Sequence, residues 1–194
     1  GAAIDGVAAL GRLVREHPSV LTDYYAHEIS AGVDVLLALT DETMPRALGQ
    51  IGMAFRSAAL TGTAIELALD AVRETPRKVA VGGLLGSRWI APVLPERITE
   101  EYAMHATRLS TSGCEIILAR GLSPAMYPHG APIARTSRIA AIASACATQL
   151  PTWAVLETAD GERVVDGDAL EDAVRSAMDA GAHAVLFDVL TDQA

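Results

Sequence analysis

The sequence predicts an α/β fold in which short parallel strands alternate with helices, as in a (β/α) barrel. Of its 194 residues, 51% are hydrophobic and only 4% are aromatic. That composition suits Ala-rich helices packed on Val, Ile and Leu strands better than a β-sandwich. A glycine followed by a short apolar run occurs three times, with helix-like segments between the runs. Together these observations predict a parallel sheet with right-handed crossovers.

The repeated glycine marks a connection from the end of a helix to the start of a strand. It occurs at Gly32, Gly113 and Gly181, each followed by a spacer residue and an apolar run. Glycine suits the left-handed residue that ends a helix, and an unbroken apolar run suits a strand buried on both faces. Two further strands are predicted without such a glycine, at Val79–Leu85 and Thr152–Glu157.

Helical segments fill the intervals between the strands. Pro18 stands at a favoured first-turn position, and Asp168 is expected to cap the last helix. Gly49, Gly52 and Gly62 are expected to break the longest segment. The predicted helical segments are Pro18–Ser30, Ala47–Arg73, Thr99–Ser112, Ile133–Gln149 and Asp168–Ala180.

Charge and cysteine usage exclude several classes of function. The net charge of −9 and the scattered basic residues argue against nucleic-acid binding, because a phosphate backbone would be repelled. No long apolar stretch free of charge occurs, so we predict no membrane span, and the start of the chain lacks the pattern of a signal peptide. Cys114 and Cys146 show no metal-ligand spacing and are expected to be free thiols in a reducing compartment, which indicates a cytoplasmic protein.

The chain is predicted to form a single domain over residues 1–194, since no linker or low-complexity segment divides it. About five strands are too few to close an eight-stranded TIM barrel, which typically needs about 250 residues. We therefore expect an incomplete barrel whose open edges require a cover or a partner, in a homo- or hetero-oligomer. Trp89 and Ile90, in a predicted loop, are either a partner contact or ordinary loop packing.

The order and spacing of these pieces resemble the homocysteine S-methyltransferase family from about His17 onward. The resemblance implies a zinc-dependent (β/α)8 barrel that transfers a methyl group to homocysteine from donors such as S-methylmethionine, betaine or methyltetrahydrofolate. It also implies that zinc, held by three cysteine thiolates, activates the homocysteine thiol. The segments that carry the resemblance are His17–Val20, Ala31–Val35, Val79–Gly86, the group Tyr102, His105, Arg108 and Gly113, and Gly161–Gly167.

The sequence departs from the family at the positions its chemistry requires. Val189 stands where the family has its first zinc cysteine, and the family's cysteine pair belongs to a strand beyond the end of this sequence. Arg120 replaces an acid after the family's fourth strand, and Leu39 replaces an asparagine after its second. We therefore predict that this chain holds no zinc or other cofactor. We also predict that it is a pseudoenzyme, that is, a non-catalytic or repurposed subunit that acts through association. The alternative is a methyltransferase whose metal ligands and remaining strands come from a partner chain or from further sequence.

Charged residues fall at or just after predicted strand ends, where (β/α) barrels place their chemistry. Asp41, Arg120, Glu157 and Asp188 are expected to converge there. One interpretation is a rebuilt small-molecule pocket, in which Arg120 binds an anionic group and Glu157 or Asp188 acts as acid or base. The other is a cluster of ion pairs that neutralise one another, or simply solvated loop residues. His105, in the middle of a helix, is expected to be a neutral packing residue. Candidate substrate-binding residues are Thr40, Asp41, Gly83 and Gly86.

Overall fold

The computed structural model describes residues 9–87, 95–122, 131–158 and 160–189. Strands and helices alternate along these ranges. The strands are β1 (Val35–Ala38), β2 (Ala80–Ser87), β3 (Ile116–Leu122), β4 (Thr152–Thr158) and β5 (Ala184–Val189). The α-helices are α1 (Ala9–Glu16), α2 (Pro18–Ala31), α3 (Pro45–Gly49), α4 (Ser57–Arg73), α5 (Pro95–Thr111), α6 (Ala131–Ala147) and α7 (Leu170–Asp179), with short 3-10 helices at Asp41–Thr43 and Ala54–Arg56.

The five strands form one sheet in chain order, and every pair of neighbours is parallel. This confirms the predicted α/β class and the incomplete barrel. One irregularity interrupts the register between β2 and β3: Leu85 pairs with Ala119, and Gly86 pairs with Gly121. Arg120 is therefore an extra residue on β3, and such a bulge re-aims the side chain that it carries.

The predicted helix-to-strand connection is confirmed at all three glycines. Gly32, Gly113 and Gly181 have φ angles of 98°, 105° and 100°, in the left-handed region. Each follows the last residue of a helix by one or two positions and precedes the first residue of a strand by three positions. A residue with a Cβ would be strained at each junction, so the local signal in the sequence had a steric cause.

The break in the longest helical segment is confirmed at two of the three predicted glycines. α3 ends at Gly49, and Gly52 has a φ of 70° in the turn that follows. The expected break at Gly62 is wrong, because this glycine lies inside α4. A helical glycine costs about 1 kcal/mol relative to alanine, and the burial of α4 against the sheet, with Ala64 and Ile65 fully buried, outweighs that cost.

The start of the last helix also differs from the prediction. α7 begins at Leu170, Ala169 occupies the cap position, and no side chain caps the helix. Asp168 instead accepts hydrogen bonds from Arg135 Nε at 2.9 Å and from Arg138 Nη2 at 2.8 Å. The pull of two guanidinium groups on the carboxylate explains why it does not serve as a cap.

The two faces of the sheet have different surroundings. One face packs against the helices, and its side chains form the main hydrophobic core: Leu36, Ala38, Val81, Leu85, Ile117, Ala119 and Ala154. On the opposite, inner face several side chains are only partly buried: Val35, Leu37, Leu84, Trp153, Val155, Ala184 and Leu186. In the described residues this apolar inner face is not enclosed, and β1 and β5 are the outer strands of the sheet. No helix in the described ranges is long and apolar enough to cross a bilayer.

Candidate functional site

Three of the four charged residues predicted at the strand ends come together in what we call the carboxyl-edge cluster: Asp41, Arg120 and Glu157. Arg120 lies between the two acids. Its Nη2 is 3.7 Å from Asp41 Oδ2, and its Nε is 3.7 Å from Glu157 Oε1. The parallel strands explain this convergence, since the carboxyl ends of β1, β3 and β4 lie at one edge of the sheet.

The carboxyl-edge cluster is buried and carries one more negative than positive charge when its residues are ionised. The exposed fraction of the side chain is 9% for Arg120 and 5% for each acid. Both contacts are too long for hydrogen bonds. Arg120 Nε and Nη2 are buried and have no hydrogen-bond partner in the part of the chain that the structure describes. Charge attraction in a medium of low dielectric therefore holds the guanidinium, with no directional bond at those two atoms.

Gly86 makes room for the Arg120 side chain. A Cβ at Gly86 would lie 3.3 Å from Arg120 Cβ, 3.4 Å from Arg120 Nε and 2.9 Å from the carbonyl oxygen of Gly121. The last distance is shorter than real Cβ contacts allow, and a backbone atom cannot easily move away. This predicted substrate-binding residue thus lies beside the guanidinium, and its lack of a side chain is a requirement of the cluster.

The other predicted site residues lie in different surroundings. Thr40 is buried, and its hydroxyl group bonds both the carbonyl oxygen of Leu84 at 3.0 Å and the amide nitrogen of Leu84 at 2.9 Å. Thr40 therefore links the end of β1 to β2.

Gly83 and Asp188 lie away from the cluster. A Cβ at Gly83 would meet Cys114 and Leu109, so Gly83 faces the helices, away from the inner face. Asp188 pairs in register with Glu157 but is exposed at the edge of the sheet.

His105 supports the segment that carries Asp41. Its Nε2 lies 3.2 Å from the carbonyl oxygen of Thr40, and the side chain is fully buried. Burial, with a smaller contribution from the charge of Arg108, lowers the pKa of His105 to about 4, although the hydrogen bond to Thr40 acts in the opposite direction. The ring is therefore neutral at pH 7, as the sequence predicted, and Nε2 donates its proton to the carbonyl oxygen.

We expect the stability of the protein to fall in acid because of His105. Its folded pKa of about 4 is below the unfolded value of about 6.5, so the unfolded chain binds the proton first. Stability present above pH 6.5 is then lost as the pH falls through 4, by roughly 3 kcal/mol. Urea unfolding of His105→Gln from pH 7 to pH 4 should show a shallower decline than the parent protein.

The matched control for this prediction is His27→Gln, on the exposed side of α2. Its side chain is exposed, so His27→Gln leaves the buried His105 ring and its surroundings in place, and the decline in acid that is assigned to His105 should remain. An equal decline in the parent protein and in His105→Gln would contradict the assignment.

A second buried ionic cluster, which was not predicted from the sequence, lies next to the first. Arg138 Nε on α6 donates to Asp166 Oδ2 at 2.7 Å, and Asp168 accepts from Arg138 Nη2. The exposed fraction is 5% for the Arg138 side chain and 4% for that of Asp166. The two acids flank Gly167 in a turn after β4, which was the available signal; nothing local indicated that Arg138, 28 residues earlier, faces them.

The two ionic clusters border one very small cavity. Its lining includes Arg120, Arg138, Glu157 and Asp166, and its volume is about 10 Å³. That is room for about one water molecule. The arginine and carboxylate side chains of these two clusters thus occupy most of the space at the carboxyl ends of β3 and β4.

The cysteines do not fit a zinc site. Cys114 is buried on the helix side of the sheet at the start of β3, and burial raises its thiol pKa to about 12. Cys146 lies near the end of α6, and partial burial raises its thiol pKa as well. Zinc binds the thiolate form, which both environments disfavour. Within the described ranges, no three His, Cys, Asp or Glu side chains are grouped so that they could hold a metal ion.

Trp89 and Ile90 lie outside the described residues, so the two interpretations of this pair stay open. Val189 is the last residue of β5.

Comparison with known proteins gives one family. The family model described as Homocysteine S-methyltransferase matches residues 8–191. A search of curated protein sequences gave no match.

Solved structures of the homocysteine methyltransferase MmuM from Escherichia coli are similar in fold. The metallated form has a TM-score of 0.78 at 17% identity, covering 96% of this chain and 68% of that one. The oxidized form has a TM-score of 0.71 at 16% identity, with 93% and 65% coverage. The apo form has a TM-score of 0.70 at 18% identity, with 94% and 66% coverage. The chain therefore spans about two thirds of the length of MmuM, and at this identity the likeness establishes the fold.

Proposed function

The chain belongs to the homocysteine S-methyltransferase family, and we propose that it is a non-catalytic or repurposed member, a pseudoenzyme subunit that acts through association. Its carboxyl-edge cluster is filled by an arginine and two acids, and its thiols lie elsewhere in poor surroundings for zinc. Free Cys114 and Cys146 support a reducing location such as the cytoplasm.

The observation that carries this proposal is the open sheet. The inner face presents half-buried apolar side chains such as Leu84 and Trp153, and β5 lies at its edge. Phe187 on β5 is 53% exposed, although it lies on the helix side of the sheet beside partly buried Val185. Exposed apolar surface next to a strand edge that has no neighbouring strand among the described residues favours the binding of a second polypeptide. We propose that a second copy of the chain covers this apolar surface and the adjoining edge of β5.

Sedimentation velocity of the purified protein across micromolar concentrations tests this association. We expect a dimer or larger oligomer, and we expect Phe187→Ser to weaken it at least tenfold, since that exposed ring would lie at the interface. Phe55→Ser is the matched control, because Phe55 is 79% exposed in the 3-10 helix Ala54–Arg56, outside the sheet. A well-folded monomer at every concentration would contradict the proposal, as would equal effects of the two substitutions.

Family membership favours one alternative function. In this alternative, the chain is part of a thiol methyltransferase whose metal ligands come from a partner chain or from further sequence. Metal analysis of the protein, purified together with anything that binds it, separates the two proposals. About one equivalent of zinc with homocysteine-dependent methyl transfer would support the alternative and reject the non-catalytic proposal.

A further inference from the structure

We infer that the carboxyl-edge cluster is a cation-binding site occupied by the protein's own guanidinium group, and that it binds free guanidinium once the Arg120 side chain is removed. This inference goes beyond the proposed association, and its test does not depend on oligomeric state.

The charges of the cluster favour a cation in its centre. Asp41 and Glu157 come from different elements, each with a side chain that is 5% exposed, and Arg120 lies between them. Without the guanidinium, two acids would border the same buried space. Each acid has other interactions as well, but a buried charge that loses its counter-ion is strongly destabilising. The space therefore selects for a positive charge.

The way Arg120 is held allows an untethered cation to replace it. Its Nε and Nη2 have no hydrogen-bond partner in the described ranges, and both carboxylates lie 3.7 Å away. The guanidinium is thus positioned by charge and by shape more than by directional bonds. A free guanidinium ion has the same planar shape and charge. Without a tether it can rotate and shift by the roughly 0.8–1 Å per contact that separates 3.7 Å from a charge-assisted hydrogen bond.

The walls of the site fit a flat group. Gly86 leaves the side-chain position beside Arg120 Nε empty. The neighbouring cavity of about 10 Å³ holds no more than one water molecule. Truncation of Arg120 beyond Cβ would therefore open a buried space close to the volume of the side chain that it removes.

Isothermal titration calorimetry and thermal melting of Arg120→Ala with guanidinium chloride test the inference. The salt is used at low millimolar concentrations, far below those that denature proteins. We expect one saturable site and a rise in melting temperature. At ten times the dissociation constant, the ratio of folded to unfolded protein should increase about tenfold. Urea, which has the same shape without the charge, and sodium chloride at equal ionic strength should have neither effect.

Two control proteins complete the test. The parent protein keeps its own guanidinium and should show no site, and Arg120→Met fills the space without charge and should also show none. Equal responses of Arg120→Ala to guanidinium and to sodium would overturn the inference, as would saturable binding to the parent protein.

A second variant keeps the test decisive if Arg120→Ala does not fold. Recovery of its folded circular dichroism spectrum on addition of guanidinium supports the inference. If the variant stays unfolded, Arg120→Ala combined with Asp41→Asn leaves a single acid, Glu157, and the same titration applies. That protein should still bind one guanidinium, more weakly, and the absence of saturable heat would overturn the inference.

Discussion

Replacement of Gly121 by alanine should destabilise the protein by about 4 kcal/mol. Gly121 has a φ of 82°, a conformation that costs a residue with a Cβ about 1–2 kcal/mol. The added Cβ would also lie 2.7 Å from both Cα and N of Arg138 and 2.9 Å from the carbonyl carbon of Ser137. These are backbone atoms of α6, so relief requires the helix to move away from β3, at a cost of about 1–3 kcal/mol.

Gly62→Ala is the matched control for this substitution. Gly62 lies inside α4, and a Cβ there would meet nothing within 4 Å. Alanine in that helix should stabilise the protein by about 0.5–1 kcal/mol. Urea unfolding of both variants measures the difference, which should have opposite signs at the two positions. A loss below 1 kcal/mol for Gly121→Ala would show that α6 does not pack against β3 as closely as described.

The parts of the fold that were predicted correctly have local causes. The junction glycines at 32, 113 and 181 act through the conformation of a single residue, and a strand buried in a parallel sheet shows itself as a short apolar run. The alternation of these signals is sufficient to predict a parallel α/β sheet. The convergence of Asp41, Arg120 and Glu157 also followed, because it requires only that parallel strands end at one edge.

The features that were missed depend on contacts between residues distant in the sequence. Gly121 resembles any glycine near a strand end, and its necessity comes from the backbone of α6. Asp168 has the sequence context of a helix cap, but two arginines on α6 bind it. Gly83 was expected at the site, and only the pleat of β2 decides that it faces α5.

Local patterns in the sequence also could not predict how deeply the charged side chains of the candidate site are buried. A charged residue at a strand end is as compatible with solvent as with a buried cluster, and both interpretations remained open from the sequence. The bulge at Arg120 and the absence of a side chain at Gly86 turn the guanidinium between the two acids. The exposed position of Asp188 follows from β5 being an outer strand, since its acid has no neighbouring strand on the far side within the described residues.

Removal of the Asp166 carboxylate should cost about 3–5 kcal/mol. Asp166 accepts a hydrogen bond of 2.7 Å from Arg138 Nε, and both side chains are almost completely buried. Within the described residues, Asp166→Ala leaves Arg138 with only the more exposed Asp168 as a counter-ion, and a buried charge that loses a partner is strongly destabilising. The same substitution in an exposed pair, Asp172→Ala beside Arg175, should cost no more than about 1 kcal/mol.

The double substitution Arg138→Met with Asp166→Leu tests whether the cost comes from the unpaired charge. It removes the buried ions together and fills their space with apolar atoms, so most of the stability lost in Asp166→Ala should return. Urea unfolding at low and high salt adds a second criterion, because added salt should weaken the contribution of Asp172 and leave that of Asp166 almost unchanged. If Asp166→Ala and Asp172→Ala cost the same, or if the double variant is the least stable of the series, Arg138 is solvated and the pair does not hold α6 to the turn after β4.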